Sequence, residues 1–303
     1  MLPSFSRRAP WPARRALQLL LVRASSVAAQ SCAAPPVGVT EYELMQKWPA
    51  GNASYVLRFA MPPSDPSLGM RGVKAFLDAT DEAGQPATLE KSYSPVSLPT
   101  AEGHFDLLVK AYPPRPGGGV GAFLCGLAPG DGAFFKLKSP RVIKGATSIA
   151  QLGLRHLGLV AGGTGVAPMV QIARMLLADP TDTTMISLLS VNRYEDDILM
   201  RDELDRLSIE HFSRFSVTYA LTQPPSNWGG DSGRGDVAMA TAALPPPGED
   251  TLVLVCGTDG FVDYWSGGIE RVKTADGKKE KRQGPLRGLL RDRGFTEEMV
   301  FKY

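Results

Sequence analysis

The sequence predicts an antiparallel β-barrel followed by an α/β domain with a parallel sheet, and three observations support that fold class. Between Glu41 and Lys144, apolar and polar residues alternate in short runs separated by Pro and Gly. After Gln151 the rhythm changes to apolar strands alternating with amphipathic helical segments, the pattern of crossover units. At the first crossover an apolar run, Leu157 to Ala161, passes through Gly162-Gly163-Thr164-Gly165 directly into a helical pattern. The organisation expected is a leader over residues 1–37, a barrel domain over 38–148 and an α/β domain over 149–303.

The leader carries Arg7, Arg8, Arg14, Arg15 and Arg23, and the first acidic residue of the chain is Glu41. Rich in Arg, Ser and Ala and free of acid, it has the composition of an organelle transit peptide. A secretory signal is the main rival and a basic leader with no address the bland one. The apolar stretch Ala16 to Val22 falls well short of the roughly 18 to 20 residues that a membrane span requires. The expectation is therefore a mitochondrial protein, with the plastid as the other destination and no transmembrane span.

In the barrel region Tyr55, Leu57, Phe59 and Met61 alternate with Val56, Arg58 and Ala60, and Phe105, Leu107, Val109 and Ala111 alternate with Asp106, Leu108, Lys110 and Tyr112. Only Gly121 to Leu127 suggests a helix there, and a short one. In the second region Met169, Ile172, Ala173 and Leu176 share one helical face, followed by a strand from Thr184 to Val191. A helix from Asp197 to Leu207, a strand from Phe215 to Leu221, a helix from Val237 to Ala243 and a strand from Leu252 to Cys256 complete the alternation. The interval Gly267 to Gly288 is polar and basic; a solvated surface loop is the favoured reading, and a docking face for an acidic partner the alternative.

The chain has 303 residues and a formal net charge of +2, which offers no reason to expect a nucleic-acid partner. Its three cysteines, Cys32, Cys125 and Cys256, are odd in number and lack CxxC spacing, and its three histidines are scattered, so neither a disulfide framework nor a metal site is expected. The chemistry is therefore expected to come from a cofactor. At the glycine junction, backbone amides would approach a phosphate closely, and the helix N-terminus would add about half a positive charge. Thr164 or a neighbour would cap that helix, and Pro168 suits its first turn. Close packing of helix on strand also asks for glycine, so the junction alone does not decide. The spacing Gly163, Gly165, Pro168 departs from the GxGxxG dinucleotide fingerprint, and the next strand ends in Asn192-Arg193 where that fingerprint places an acid.

Six stretches in register resemble the ferredoxin reductase-like flavoproteins, and within them the NADH-cytochrome b5 reductases. They are Lys91-Ser92-Tyr93-Ser94-Pro95-Val96, Gly117 to Leu124, Gly162 to Met169, "VNRYEDDILMRDEL" (Val191 to Leu204), "YALTQPPSNW" (Tyr219 to Trp228) and Cys256-Gly257, with an aromatic end, "EEMVFKY", after them. The resemblance spans about residue 40 to residue 303 and implies FAD with NADH or NADPH. It implies that Tyr93 and Ser94 meet the flavin, with Ser94 donating near N5, next to Lys91 and Pro95. Lys110 and Tyr112 would flank the flavin and its ribityl chain, a plain surface strand being the alternative. Gly118, Gly119, Val120 and Gly121 would face the FAD pyrophosphate. Gly163, Thr164, Gly165, Val166 and Pro168 would take the nicotinamide dinucleotide, with Asn192, Thr222 and Gly257 beside it. Cys256 would lie on the hydride path, a buried core cysteine being its bland reading.

Several positions depart from the family pattern. Lys91 replaces an arginine, which costs a two-pronged phosphate contact. Gly121 stands in place of a serine or threonine, and Cys256-Gly257-Thr258-Asp259 in place of Cys-Gly-Pro-Pro. Thr222 replaces the aspartate of NADH-preferring relatives, so with Arg193 nearby NADPH is expected to serve at least as well as in those relatives. The implied function is an NAD(P)H-dependent flavoprotein reductase, a monomer, passing electrons singly to a haem-protein acceptor that is cytochrome b5-like or cytochrome c-related. Haem-iron reduction in cytochrome c maturation, a flavin-free scaffold and a reductase of quinones or free flavins are the alternatives.

Overall fold

The computed structural model describes residues 37–80, 86–112, 119–273, 277 and 279–303; the leader and Gly118 lie outside the described residues. The first sheet contains β1 (Val39–Pro49), β2 (Ser54–Ala60), β3 (Arg71–Thr80), β4 (Pro86–Tyr93), β5 (His104–Lys110) and, after the short helix α1 (Val120–Gly126), β6 (Gly132–Pro140). These six strands run antiparallel in the order β4-β3-β6-β1-β2-β5. Beyond β4 the chain crosses to the far edge, where Pro95 pairs with Leu107 and the Val96 amide donates to the Asp106 carbonyl at 2.8 Å. The two edges thereby meet, as full closure of a barrel requires.

Alternation along the strands turns Phe59, Phe105 and Phe135 into the barrel, where all three are fully buried. Phe59 stacks on Phe105 with centroids 5.5 Å apart and meets Phe135 edge-on at 4.9 Å, contacts that add to the area each ring removes from water. Asp106, almost fully buried, is balanced by a two-pronged bond from Arg58 at 2.8 and 2.9 Å.

The second sheet is parallel, in the order β10-β9-β8-β7-β11-β14. In chain order its unit comprises β7 (His156–Gly162), α2 (Val166–Ala178), β8 (Met185–Asn192), α3 (Arg201–Glu210), β9 (Phe215–Leu221), β10 (Asp231–Ser232), α4 (Val237–Ala243) and β11 (Thr251–Cys256). After these come α5 (Asp259–Ser266), β12 (Ile269–Lys273), β13 (Lys279–Gln283), α6 (Gly288–Asp292) and β14 (Val300–Lys302). The chain steps outward from β7 to β8 and β9, then returns to the other side of β7 as β11. The order reverses at β7, so the glycine junction at its end lies at the switch point, where open parallel sheets bind ligands.

Two elements differ from the sequence reading. The helix expected from Asp197 begins at Arg201: Glu195–Asp197 form a separate tight turn, and Met200 adopts a φ of 56°. The Met200 amide is drawn to the Ala50 carbonyl of the barrel at 3.1 Å, and Ile198 and Leu199 are buried from this turn rather than from the helix. The basic interval favoured as a loop holds an antiparallel hairpin, β12–β13, in register from Ile269 opposite Gln283 to Lys273 opposite Lys279.

The apolar core under α2 takes in Val56, Val96 and Leu108 of the barrel with Leu159, Val166, Met169 and Ile172, so it runs continuously across the boundary between the two sheets. Backbone packing at the junction is equally close. A Cβ on Gly165 would overlap the Cys256 carbonyl and lie 2.8 Å from the Gly257 nitrogen, whereas one on Gly163 would meet open space, although its φ of 53° is left-handed. Gly165→Ala should therefore cost about 3 kcal/mol or more of stability, and Gly163→Ala about 1 kcal/mol. Chemical denaturation of both variants checks this ordering; equal losses would contradict it.

Candidate active site

β4 ends on Lys91 and Tyr93 with Ser94 next after it, and β7 ends on the glycine turn; the two ends face each other across one cleft. Lys91, Tyr93, Ser94, Lys110, Thr164, Gly165, Pro168, Cys256 and Gly257 line one cleft between the sheets. The Tyr93 hydroxyl is buried and has no hydrogen-bond partner among the described residues, and burial pushes its pKa up, so it stays a neutral donor. Lys91 holds its ammonium over two rings, 5.4 Å from Tyr93 and 5.1 Å from Tyr112. Gly119 caps α1 without a side-chain bond, Val120 and Gly121 begin it, and a Cβ on Gly121 would sit 2.7 Å from the Lys110 carbonyl. The absence of a hydroxyl at that position thus follows from the close approach of α1 to β5.

Gly163–Gly165 form one tight helical turn, and α2 begins at Val166 with Pro168 in its first turn. Among the described residues no side chain caps the helix, which corrects the role expected of Thr164. Pro95 and Val166 are buried and line neither opening, Pro95 serving instead to close the barrel. Cys256, the last residue of β11, is partly exposed to the cleft, and burial pushes its thiol up to about 11.

An adjoining cavity of about 300 Å³ is lined by Lys110, Tyr112, Gly163, Thr164, Asn192 and Thr222, together with Arg193, Asp197 and Arg234. Asn192 is buried; its amide donates to Ser190 at 3.0 Å, while its carbonyl oxygen has no partner among the described residues. Lys110 donates to Asp197 at 2.8 Å, an ion pair that ties β5 to the turn before α3. Thr222 is held by its amide on the Asn192 carbonyl, and Arg193 by its Nε on Gln223 at 3.2 Å. Arg234 lies 4.9 Å from the Tyr264 ring and donates to the Gly260 carbonyl, while Tyr264 and the fully buried Trp265 donate to the neighbouring carbonyls of Gly235 and Arg234. The single carboxylate of this lining is already paired, so Arg193 and Arg234 leave the cavity cationic.

Sequence reasoning missed four of the residues gathered here. Arg234 is placed by the packing of α5 and has no spacing signal, and Asp197 is reached only through Lys110. Arg141 and Tyr303 meet beside the flavin motif: the guanidinium lies 4.1 Å from the ring, and Arg141 and Ser94 both act on the Tyr303 hydroxyl to lower its pKa. Burial raises the Tyr303 pKa against the pull of Arg141. The aromatic C-terminus was the one available signal for this pair.

The oxidoreductase FAD-binding domain family matches residues 41–142, and the oxidoreductase NAD-binding domain family matches residues 159–266. An NADH-cytochrome b5 reductase-like protein of Arabidopsis thaliana is 34% identical over 268 residues, covering 87% of this chain and 76% of the relative. NADH-cytochrome b5 reductase 1 of Aspergillus terreus is 37% identical over 228 residues, covering 73% of this chain and 74% of the relative. Among solved structures, the cytochrome b5 reductase domain of Ulva prolifera nitrate reductase shares the fold, with a TM-score of 0.68 at 24% identity over 88% of this chain and 97% of that one. With FAD- and NAD-binding oxidoreductase domains in tandem and relatives of this length and identity, the chain belongs to the NADH-cytochrome b5 reductase-like flavoproteins of the ferredoxin reductase superfamily.

Proposed function

We propose that the protein takes a hydride from NADH or NADPH and delivers the electrons one at a time to a haem protein of the cytochrome b5 type, in the mitochondrion to which its leader composition points. Two ferric acceptors are reduced for each nicotinamide oxidised, and one proton is released. The observation that carries this reading is that the flavin-motif cleft and the cationic nucleotide cavity adjoin, sharing Thr164 and Lys110 in their linings.

The residues present fit the two cofactors. The unpartnered Tyr93 hydroxyl suits a polar ribityl chain, Ser94 supplies a hydroxyl at the flavin edge, and Lys91 supplies charge for phosphate. The buried, unpartnered Asn192 carbonyl oxygen suits a donor on the nicotinamide nucleotide. Bound FAD would supply the exchange between a two-electron hydride and single electrons. The chain's contribution is alignment and exclusion of water, and the raised pKa values of Tyr93 and Cys256 keep both neutral at the site.

Full-length protein should purify with flavin absorbance that bleaches within seconds of anaerobic NADH addition; a folded protein that stays colourless after incubation with FAD would refute the reading. NADPH should bleach it as well. Replacing Arg193 and Arg234 by Gln should raise the KM for NADPH about tenfold or more while moving that for NADH less than about threefold, because a 2′-phosphate loses charged donors that NADH never engages. Steady-state kinetics with both donors decide this, and equal effects on the two would count against a 2′-phosphate contact. Because its folded pKa lies near 11, Cys256 should react with iodoacetamide at pH 8 about a hundredfold more slowly than a small thiol, the rate climbing with pH as the thiolate forms. Mass spectrometry of the labelled peptide measures this.

A further inference from the structure

The β12–β13 hairpin begins just beyond the matched nicotinamide domain, and its charges are sorted by face. Residues 269–283 hold six cationic and three acidic residues. The register sets Arg271 opposite Lys281 and places Lys273 on the same face; Glu270, Glu280 and Arg282 occupy the other, where Arg282 pairs with Glu280 at 2.9 Å. Like charges directly opposite one another weaken a two-stranded sheet. Arg271 finds Asp259 at 2.9 Å, but among the described residues Lys273 and Lys281 have no carboxylate partner. A face that opposes hairpin formation calls for compensation from outside the hairpin.

That face is fastened beside the cleft. The buried Lys302 ammonium donates to the carbonyls of Gly268, Gly284 and Pro285, and the Gln283 side-chain amide donates to the Lys302 carbonyl and accepts from the Lys302 amide, both at 2.8 Å. The next residue is Tyr303, whose amide joins Val255 of β11 and whose ring lies against Arg141. The charge of Lys281 reaches Cys256 in the cleft and, with Arg141, Lys138 on β6. No exposed large apolar residue lies on the described hairpin, so it lacks the wedge of a membrane-inserting element.

Resting on the reductase reading above, we propose that the Lys273–Lys281 face of this hairpin, with Lys138, forms a docking surface for the acidic face of the haem-protein electron acceptor, next to the point where electrons leave. Complementary charge of this kind acts mainly on encounter rate and weakens with salt. Electrons are exchanged only between the flavoprotein and the acceptor, and the hairpin takes no part in bond making.

The test uses full-length flavin-loaded protein, reduced anaerobically with NADH and reoxidised by soluble cytochrome b5, an acidic haem protein, or by menadione, a neutral quinone. The K273E/K281E variant should lower the second-order rate constant with cytochrome b5 about tenfold at low ionic strength, with the gap closing at high salt. K273Q/K281Q should fall between that variant and wild type. Flavin reduction by NADH and reoxidation by menadione should be unchanged, and basic cytochrome c should not react more slowly with the reversed variant. The reversal sets a carboxylate opposite Arg271, which favours the hairpin, so misfolding is not its expected effect. Reoxidation of the variant by cytochrome b5 at the wild-type rate would overturn the proposal. So would an equal loss with menadione, or charge-dependent binding to phosphatidylserine vesicles with the cytochrome b5 rate untouched. Wild-type flavin that NADH bleaches and cytochrome b5 cannot reoxidise would overturn the acceptor reading and the proposal together.

Discussion

Two hydrogen bonds from helix α2 set the distance between the two halves of the cleft. The buried Gln171 amide donates to the Ser97 carbonyl at 3.0 Å, and Arg174 donates to the Val96 carbonyl at 2.6 Å while also holding Glu203. Val96 ends the flavin motif and Ser97 directly follows it, and α2 directly follows the glycine turn. One helix therefore grips the segment that carries Tyr93 and Ser94, and the turn directly before it presents Thr164 and Gly165. A buried carbonyl left without its donor costs about 1 to 3 kcal/mol, so the grip resists sliding as well as separation. For a hydride to pass between two bound rings, alignment to within about an ångström matters more than any single contact.

Around this clamp the site is shaped by backbone approaching backbone. The end of β11 lies so close to the glycine turn that a methyl group at Gly165 cannot be accommodated, and α1 lies equally close to the Lys110 carbonyl through Gly121. Both approaches leave main-chain amides near the cleft and remove side chains that would stand between them and a phosphate. The Lys110–Asp197 pair closes the same gap from the other side, binding the last residue of β5 to the turn that replaces the start of the expected helix. Because Asp197 is occupied in this way, its charge does not offset that of Arg193 and Arg234 across the cavity.

What could be read from the sequence was what depends on local pattern. Alternation located β2 and β5, the 3.6-residue period gave the inward face of α2, and the glycines marked the switch point before any strand order was known. The start of α3 was misread because a tertiary bond, from the Met200 amide to Ala50, overrides a periodicity that continues back through Leu199 and Ile198. The hairpin was hidden because its cations resemble a solvated loop, and its anchor, Lys302, is a buried lysine that composition would place at the surface. Arg234 and Arg141 reach the site from distant elements, and a side chain placed only by packing leaves no spacing to read. Gly121 was read as a loss; next to the Lys110 carbonyl it is a requirement.

The charges of the molecule are layered around the cleft. Tyr93 and Cys256 in its lining, and Tyr303 beside it, are all acids whose pKa values burial raises, so they remain neutral and add no fixed charge there. At its edges lie cations: Lys91 over two aromatic rings, Arg193 and Arg234 around the nucleotide cavity, Arg141 on Tyr303, and the hairpin beyond. In a medium of low dielectric an unpaired charge beside the reacting atoms would bias reduction strongly, whereas the same charge at the solvent boundary is moderated by water. A neutral interior with a positive rim favours a phosphate-bearing donor without placing a fixed charge beside the reacting atoms, and leaves the energy of the transfer to the cofactors and their alignment.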